Sequence, residues 1–476
     1  MQNKFNGDVN KVDWKGIFSE RHKLGRQVSD GISDILSEQK GRLAKAERIV
    51  SMGYDVKDAL LQNLYVEDNA KDVLARRYYS NVVLGLLHRN MALQEWMKLS
   101  RGEITSLEKA LASFDLFVLH GGKGDDTEIS ATLDNIAEHF RQEVPGHAEM
   151  NTRGKARALA GYLKMHNLVG IQCNVDENYH NMQNNFLGIA LHNVNHESLP
   201  LISVAIYCCV AQRLGLDAQP CGFPFHVLAI IKPPTGLNVV GRILPTGQFG
   251  DPIYMDPFRS ASETLVDNLK SQLEALGITP DNHAAYLGSS STAEIVRRSA
   301  KNIITSVQTL PRNEGVNRLS IAAETIPEMD GAFYSSLWAL TILAEGDRDR
   351  ADAQRAQFLP YIVQRLESHF PMDVSLIEKF IAPLCPTPAQ HHEILNAIRA
   401  MRDSDAAAPR EVKTRTREAS TSVLFKIGQH FKHKRYGYFA VISGWDVECL
   451  AGEAWISRMG VDQLSRGKHQ SFYHVK

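Results

Sequence analysis

The sequence is short of the features that most quickly assign a protein. Its six cysteines (Cys173, Cys208, Cys209, Cys221, Cys385 and Cys449) contain no C-x-x-C pair. That spacing excludes a zinc knuckle and a dense disulfide framework, and reduced thiols are the simpler reading. Long apolar runs are also missing. The best, Leu199 to Ala211, is 13 residues interrupted by Pro200 and Ser203, too short to span a bilayer. The opening MQNKFNGDVNKVDWK has no apolar h-region of a signal peptide. No membrane partner is expected, and a cytoplasmic or nuclear location follows. There is no P-loop, no dinucleotide fingerprint and no H-E-x-x-H; His391-His392-Glu393 reads as a polar helix face. Neither a cofactor nor a metal is implied.

Charge of one sign is not in excess either. Lys+Arg 53 against Asp+Glu 54 gives a formal net charge of -1, and 43% hydrophobic with 22% charged residues is ordinary globular composition. The balance hides an asymmetry. From Arg410 to Lys476 there are 12 basic and 6 acidic side chains, a local +6 that leaves -7 for the rest. Any polyanion contact belongs at this end.

The 476 residues suffice for two to four domains. Residues 1–104 are expected to be helical, with apolar residues at three-and-four spacing in Ala59, Leu60 and Leu64, then Val73, Leu74 and Tyr78. Thr105-x-x-Glu108 has the form of a capping box opening a helix with Leu107, Ala110, Leu111 and Phe114 on one face. Residues 119–127, rich in Gly and Asp, read as a plain loop. Residues 276–402 are again helical in pattern. Residues 403–422 read as a solvated linker, because they lack a run of large apolar residues and carry Pro409. Residues 423–476 alternate apolar residues between Gly turns and predict a small β barrel. Phe425, Ile427, Phe439, Val441 and Ile442 are the expected interior. The fold class is α+β.

The middle, 105–275, carries the clearest chemistry. Ser198 is placed to cap a helix with Pro200 in its first turn; Leu201 to Leu214 is apolar almost all round, and Gly215 follows as a stop. Pro224 to Ile231 reads as a strand, and Gly250 to Phe258 as a second one closed by a Pro turn. This puts Ser203 in the first helical turn, His226 on one strand and Asp256 at the end of another. A hydroxyl at a helix N-terminus with an imidazole and an orienting carboxylate is a sensible nucleophilic triad. The spacing fits a bland reading as well, in which Ser203 belongs to a helix start and His226 is a hydrogen-bonded core residue.

Three stretches carry a resemblance here: NNFLGIAL from Asn184, SLPLISVAIYCCVAQRLGLDAQPCGFPFHVLAII from Ser198, and YMDPF from Tyr254. Together they resemble the transglutaminase-like (papain-like) core of the SirB type. That resemblance implies a Cys nucleophile where Ser203 stands, with His226 and Asp256 completing the triad. The Cys is absent. Cys208 and Cys209 lie about 140° and 240° further round the helix and do not share the face of Ser203. A hydroxyl needs a far stronger base than a thiol does. Two readings stay open: a degenerate triad kept as a packing or peptide-binding cleft, or a serine-dependent hydrolase or acyl transferase.

In the C-terminal segment, FKIGQ from Phe425, KRYGY from Lys434, VISGWD ending at Asp446, Trp455, MGVD from Met459 and FYHV from Phe472 resemble the hemimethylated-DNA-binding, YccV-like family. The turn of Lys432, His433, Lys434, Arg435, Tyr436 and Tyr438 mixes cations with rings, which suits phosphate contact and stacking. A solvated hairpin whose charges protect an edge is the alternative. The resemblance implies an SH3-like barrel that binds duplex DNA, with Lys432, Lys434 and Arg435 on phosphates and His433 and Tyr438 beside them. In that family a further strand follows FYHV, so this barrel is expected to be truncated or to pair its open edge with something else.

The two domains in this order resemble F-box proteins that join a transglutaminase-like core to a YccV-like barrel, with WKGIF from Trp14 and KDALLQNL from Lys57 resembling their helical segment. Such proteins use an F-box to bind a Skp-type adaptor and present a protein substrate to a ubiquitin ligase. Thirteen residues before Trp14 cannot hold three packed helices, so an F-box is expected to be absent or truncated. The expectation drawn from all of this is a non-catalytic recognition protein.

Overall fold

The computed structural model describes residues 13–70, 72–119, 124–309, 329–385, 387–408, 411–412, 422–434 and 436–476. Residues 120–123 of the expected Gly-rich loop, most of the expected linker (409–410 and 413–421) and Arg435 lie outside the described residues. The chain divides into two compact units, 1–410 and 411–476. The fold is α+β: helices dominate, with two small antiparallel sheets.

In the first unit, α1 (Trp14–Ser37), α2 (Arg42–Ser51) and α3 (Lys57–Leu64) pack on the long α4 (Val73–Ser100). At 1.5 Å per residue α4 runs about 42 Å, long enough to carry the N-terminal helices onto the middle of the chain. Its last turns meet α5 (Leu107–Val118), where Trp96 Nε1 donates to Ala110 O at 3.0 Å and its ring lies 4.9 Å from Phe114. The start of α5 corrects the expected capping box. Ser106 is the N-cap and accepts from Lys109 N, Thr105 Oγ1 is buried with no partner, and Glu108 instead pairs with Arg213. The N-cap oxygen must reach the third N–H of the helix, and from Ser106 that donor is Lys109.

Next come α6 (Asp126–Glu143), α7 (Thr152–Met165), the short α8 (Leu187–His192) and the central α9 (Pro200–Arg213). Every residue of α9 from Pro200 to Ala211 is buried, as a helix apolar on all sides requires. Gly215 then turns the chain with φ 80°, a left-handed conformation that favours glycine. The sheet β1 (Asp217–Cys221), β2 (Leu228–Lys232), β3 (Ile253–Met255) and β4 (Glu263–Thr264) is antiparallel in that order, and α9 packs on β1 and β2.

α10 (Val266–Ala275), α11 (Thr292–Thr309), α12 (Met329–Ile342), α13 (Arg348–Ser368) and α14 (Pro388–Ala407) are the longer helices that follow, with shorter helical turns between them. α14 runs through Ala407, so residues 403–407 are helix where linker was expected; Ile394 and Ile398 anchor its buried side. One apolar core is continuous from Val28 to Ile398, so the three stretches separated on sequence share an interior.

The second unit is a three-stranded antiparallel sheet of β5 (His430–Lys432), β6 (Phe439–Asp446) and β7 (Phe472–Val475), with a short helix at 453–458. A register shift between Ile442 and Gly444 makes a β-bulge in β6. Three strands do not close a barrel among the described residues. Ala440, Ile442, Ile456 and Val461 are buried, whereas Phe425, Ile427 and Phe439, expected inside, are exposed. Alternation sends Phe439 to the face opposite Ala440, where it lies under the Lys432 ammonium.

Candidate functional site

His226 is not on a strand. It sits in a turn two residues before β2, and the preceding Phe225 has φ 61° with its side chain 89% exposed. A bulky residue in that region costs about 1–2 kcal/mol. Contacts on both sides hold the turn in place. Arg298 Nη2 from α11 donates to Phe223 O at 3.1 Å, and Gly222 packs so closely that a Cβ there would come within 2.3 Å of Ser290 Oγ. Sequence reading gives no hint of this brace, because its partners are about 75 residues apart.

The turn delivers the imidazole to Asp256, just past β3. Only Ile253–Met255 of the longer stretch expected is strand, because Asp256 and Pro257 turn the chain. His226 Nε2 and Asp256 Oδ2 are 2.8 Å apart, with side chains 13% and 7% exposed. The other oxygen, Asp256 Oδ1, accepts from Arg259 N at 3.2 Å. With Nε2 engaged, Nδ1 is the nitrogen left for a nucleophile. Phe258 lies edge-on to the imidazole at 6.3 Å and to Tyr179 at 6.3 Å. Lys164 Nζ donates to Phe258 O, and burial pulls the Lys164 ammonium below its ordinary range.

Ser203 does not join them. Its hydroxyl is wholly buried, 2.7 Å from Ser198 Oγ and 3.3 Å from Ser198 O, and it accepts from Gly170 N at 3.1 Å. It makes no hydrogen bond to His226, whose bonded partner is Asp256. Ser198, expected as the helix cap, is spent on the same knot: the N-cap of α9 is Leu199, and Ser198 Oγ accepts from Gly170 N at 3.2 Å. Gly170 takes φ 87°, and a Cβ there would meet both Phe258 O and Lys164 Nζ at 3.1 Å. This glycine ties the start of α9 to the strand end carrying Asp256.

Among the described residues no thiol is hydrogen-bonded to the imidazole. Cys208 and Cys209 are fully buried; burial pushes the Cys208 thiol well above its ordinary range and Cys209 to about 12. Neither forms thiolate at neutral pH. Cys173 is exposed three residues beyond Gly170. The geometry is therefore an oriented imidazole–carboxylate pair with a hydrogen-bonding rim and no activated nucleophile bonded to it. Among the described residues no group of three or more His, Cys, Asp or Glu is placed to hold a metal ion, and no helix is long and apolar enough to cross a membrane.

In the second unit the β5–β6 turn carries the cations. Lys432 and Lys434 are exposed and His433 half-buried. His433 N donates to Tyr438 O and Gly437 N to His433 O, both at 2.8 Å, and Gly437 has φ 72°. The His433 ring lies 4.9 Å from both Tyr436 and Tyr438, and the three planes are within 29° of one another. Lys432 and Lys434 flank His433, one of these nearly parallel rings, in sequence.

Comparison with known proteins matches these two parts separately. Residues 127–301 match the family described as transglutaminase-like superfamily, and residues 423–476 the one described as hemimethylated DNA-binding protein YccV like. The chain thus carries a transglutaminase-like domain followed by a YccV-like domain. It is similar to F-box only protein 21 of Mus musculus (26% identical over 297 residues), of Homo sapiens (25% over 297) and of Pongo abelii (27% over 300). The similar stretch covers 61% of this chain and 42–43% of those relatives, so the chain spans less than half of their length. No solved structure matches it.

Proposed function

We propose that this protein is a non-catalytic recognition protein whose C-terminal domain contacts duplex DNA. The observation that carries the reading is the β5–β6 turn: exposed Lys432 and Lys434 beside the parallel rings of His433, Tyr436 and Tyr438, in a domain that matches a DNA-binding family. Exposed ammonium groups on a short turn reach phosphates and release counterions, while rings pack on sugar and base edges. The family resemblance adds Arg435, which lies outside the described residues, as a third phosphate contact. The central domain supports recognition as well, because its His226–Asp256 pair has no bonded nucleophile and Ser203 is consumed in structure.

The test is a fluorescence anisotropy titration of a labelled duplex at two salt concentrations. Wild type binds, and binding weakens as salt rises. Changing Lys432, Lys434 and Arg435 to Ala lowers affinity and flattens the salt slope by about one unit for each phosphate that no longer has a cation beside it. Equal binding by wild type and variant at both salts contradicts the reading.

A second reading, as a substrate-binding adaptor in a ubiquitin ligase, is favoured by the similarity to F-box only protein 21. Its test is capture of a Skp-type adaptor by the chain; no capture contradicts adaptor binding by this chain.

A further inference from the structure

A chamber of about 770 Å³ opens in the first unit, far from His226 in sequence. It lies between the start of α2, one face of α4, the turn at 369–372 and the last turns of α14. That volume is in the range of small-molecule sites. Its walls are mixed. Tyr78, Tyr79, Phe370 and Met401 supply apolar and aromatic surface, and two guanidinium groups, Arg42 and Arg89, line it with them.

Both arginines are held by the protein in ways that leave N–H donors over. Arg42 Nε donates to Ile35 O and Glu38 O at 3.0 Å, and its guanidinium carbon stands 4.8 Å from the Tyr79 ring centre. Among the described residues it has no carboxylate partner. The neighbouring acid, Asp405, is turned on the helix terminus: its oxygens accept from Arg42 N at 3.0 Å and Leu43 N at 3.2 Å. Arg89 is more deeply set, stacks 4.9 Å from Phe370, and gives Nε and Nη2 to the two oxygens of Asp373 at 2.7 and 2.8 Å. Its Nη1 is left over, next to Gly85, where a Cβ would come within 2.9 Å. Gly85 also lines the chamber, so the missing side chain leaves open the space around that donor. From Tyr79 to Gly85 is six residues along α4, roughly 9 Å.

We propose that this chamber is a binding site for a small organic anion with a flat aromatic or apolar body, its negative group held by Arg42. The body fills the space between the α4 rings and Met401 on α14, and Arg89 Nη1, beside Gly85, supplies a second donor further along the α4 wall. An anion is selected because no carboxylate is paired with the Arg42 guanidinium among the described residues, Asp405 being bonded to the helix terminus, and because that guanidinium is already oriented by its bonds to backbone carbonyls. A neutral ligand of the same shape gains the ring contacts alone.

The experiment uses the full chain, isothermal titration calorimetry, and 2-naphthoate with 2-naphthamide as its uncharged counterpart. Wild type binds the carboxylate at least about tenfold more tightly than the amide. Arg42→Gln removes that preference without weakening the amide. Met401→Trp, which fills the chamber from α14 and touches neither guanidinium, removes binding of both. Absence of naphthoate binding to wild type overturns the proposal, as does equal affinity for the two probes. A carboxylate preference that survives Arg42→Gln overturns it too. The wild-type comparison decides by itself if a variant does not fold, which circular dichroism reports.

Discussion

The His226–Asp256 pair and the β5–β6 turn both gather polar side chains, under opposite physical conditions. In the first, imidazole and carboxylate are nearly buried and the backbone donors beside them are assigned, Gly170 N to the two serines and Arg259 N to Asp256, while Arg298 braces the turn backbone. In the second, the ammonium groups of Lys432 and Lys434 stand in water. Buried polar groups are expensive to leave unpaired, so they fix geometry; exposed charges are screened, so they steer partners and add little to stability. The difference teaches that the central domain encloses an oriented acid–imidazole pair, while the C-terminal domain presents its cations at the surface.

The contrast is sharpest in stability. Arg89→Ala removes one side of a buried pair whose side chains are 9% and 0% exposed, and leaves the Asp373 carboxylate without its partner. A loss of about 3–5 kcal/mol is expected, read from urea unfolding of the full chain. A loss below about 1 kcal/mol would place this pair with ordinary surface pairs.

A pH series sharpens it next. Burial pushes the Asp115 carboxyl from the ordinary 3.8 up to about 7. The folded chain prefers the protonated acid, so this contribution is complete below about pH 4 and is lost as pH rises through about 7. Burial also lowers the His88 imidazole from 6.5 to about 3, so its contribution is present above about pH 6.5 and is lost as pH falls toward 3. Asp115→Asn keeps the acceptor for Ile189 N, which lies 3.1 Å from Oδ1. Its Tm gains on wild type between about pH 4 and pH 7; a gap that stays constant over that window refutes the buried-acid account.

Ser203→Ala comes third. It takes away one acceptor for Gly170 N and the partner of Ser198, for an expected cost of about 1–2 kcal/mol by chemical denaturation. A neutral change would show that the serine knot is not what fixes the start of α9. Smallest is Lys432→Ala with Lys434→Ala, which should shift stability by no more than about 0.5 kcal/mol while weakening duplex binding. A large drop in Tm would mean that these lysines support the sheet.

How much of the molecule is legible in the sequence depends on the range of the contacts. Pro200, the apolar run to Leu214 and Gly215 are local signals, and α9 forms where they place it. The α+β class follows from similar patterns. His226 and Asp256 can be nominated from the segments around β2 and β3, but not the turn with Phe225 in a left-handed conformation, which Arg298 and Gly222 hold from elsewhere. Ser198 reads as a cap and Ser203 as a nucleophile because Gly170, some 30 residues earlier, carries no motif. Thr105 loses its role to Ser106 by one position, within the range over which caps compete. The Arg42 chamber needs Asp405, 363 residues away, and no periodicity reports such a pairing.

The proposal that the central domain recognises without reacting is tested most directly by covalent trapping. The full chain is incubated with a fluorophosphonate probe and its mass measured intact, with peptide mapping of the α9 start. The account predicts an unchanged mass and an unmodified Ser203. A phosphonyl adduct on Ser203, absent from His226→Ala, would contradict it.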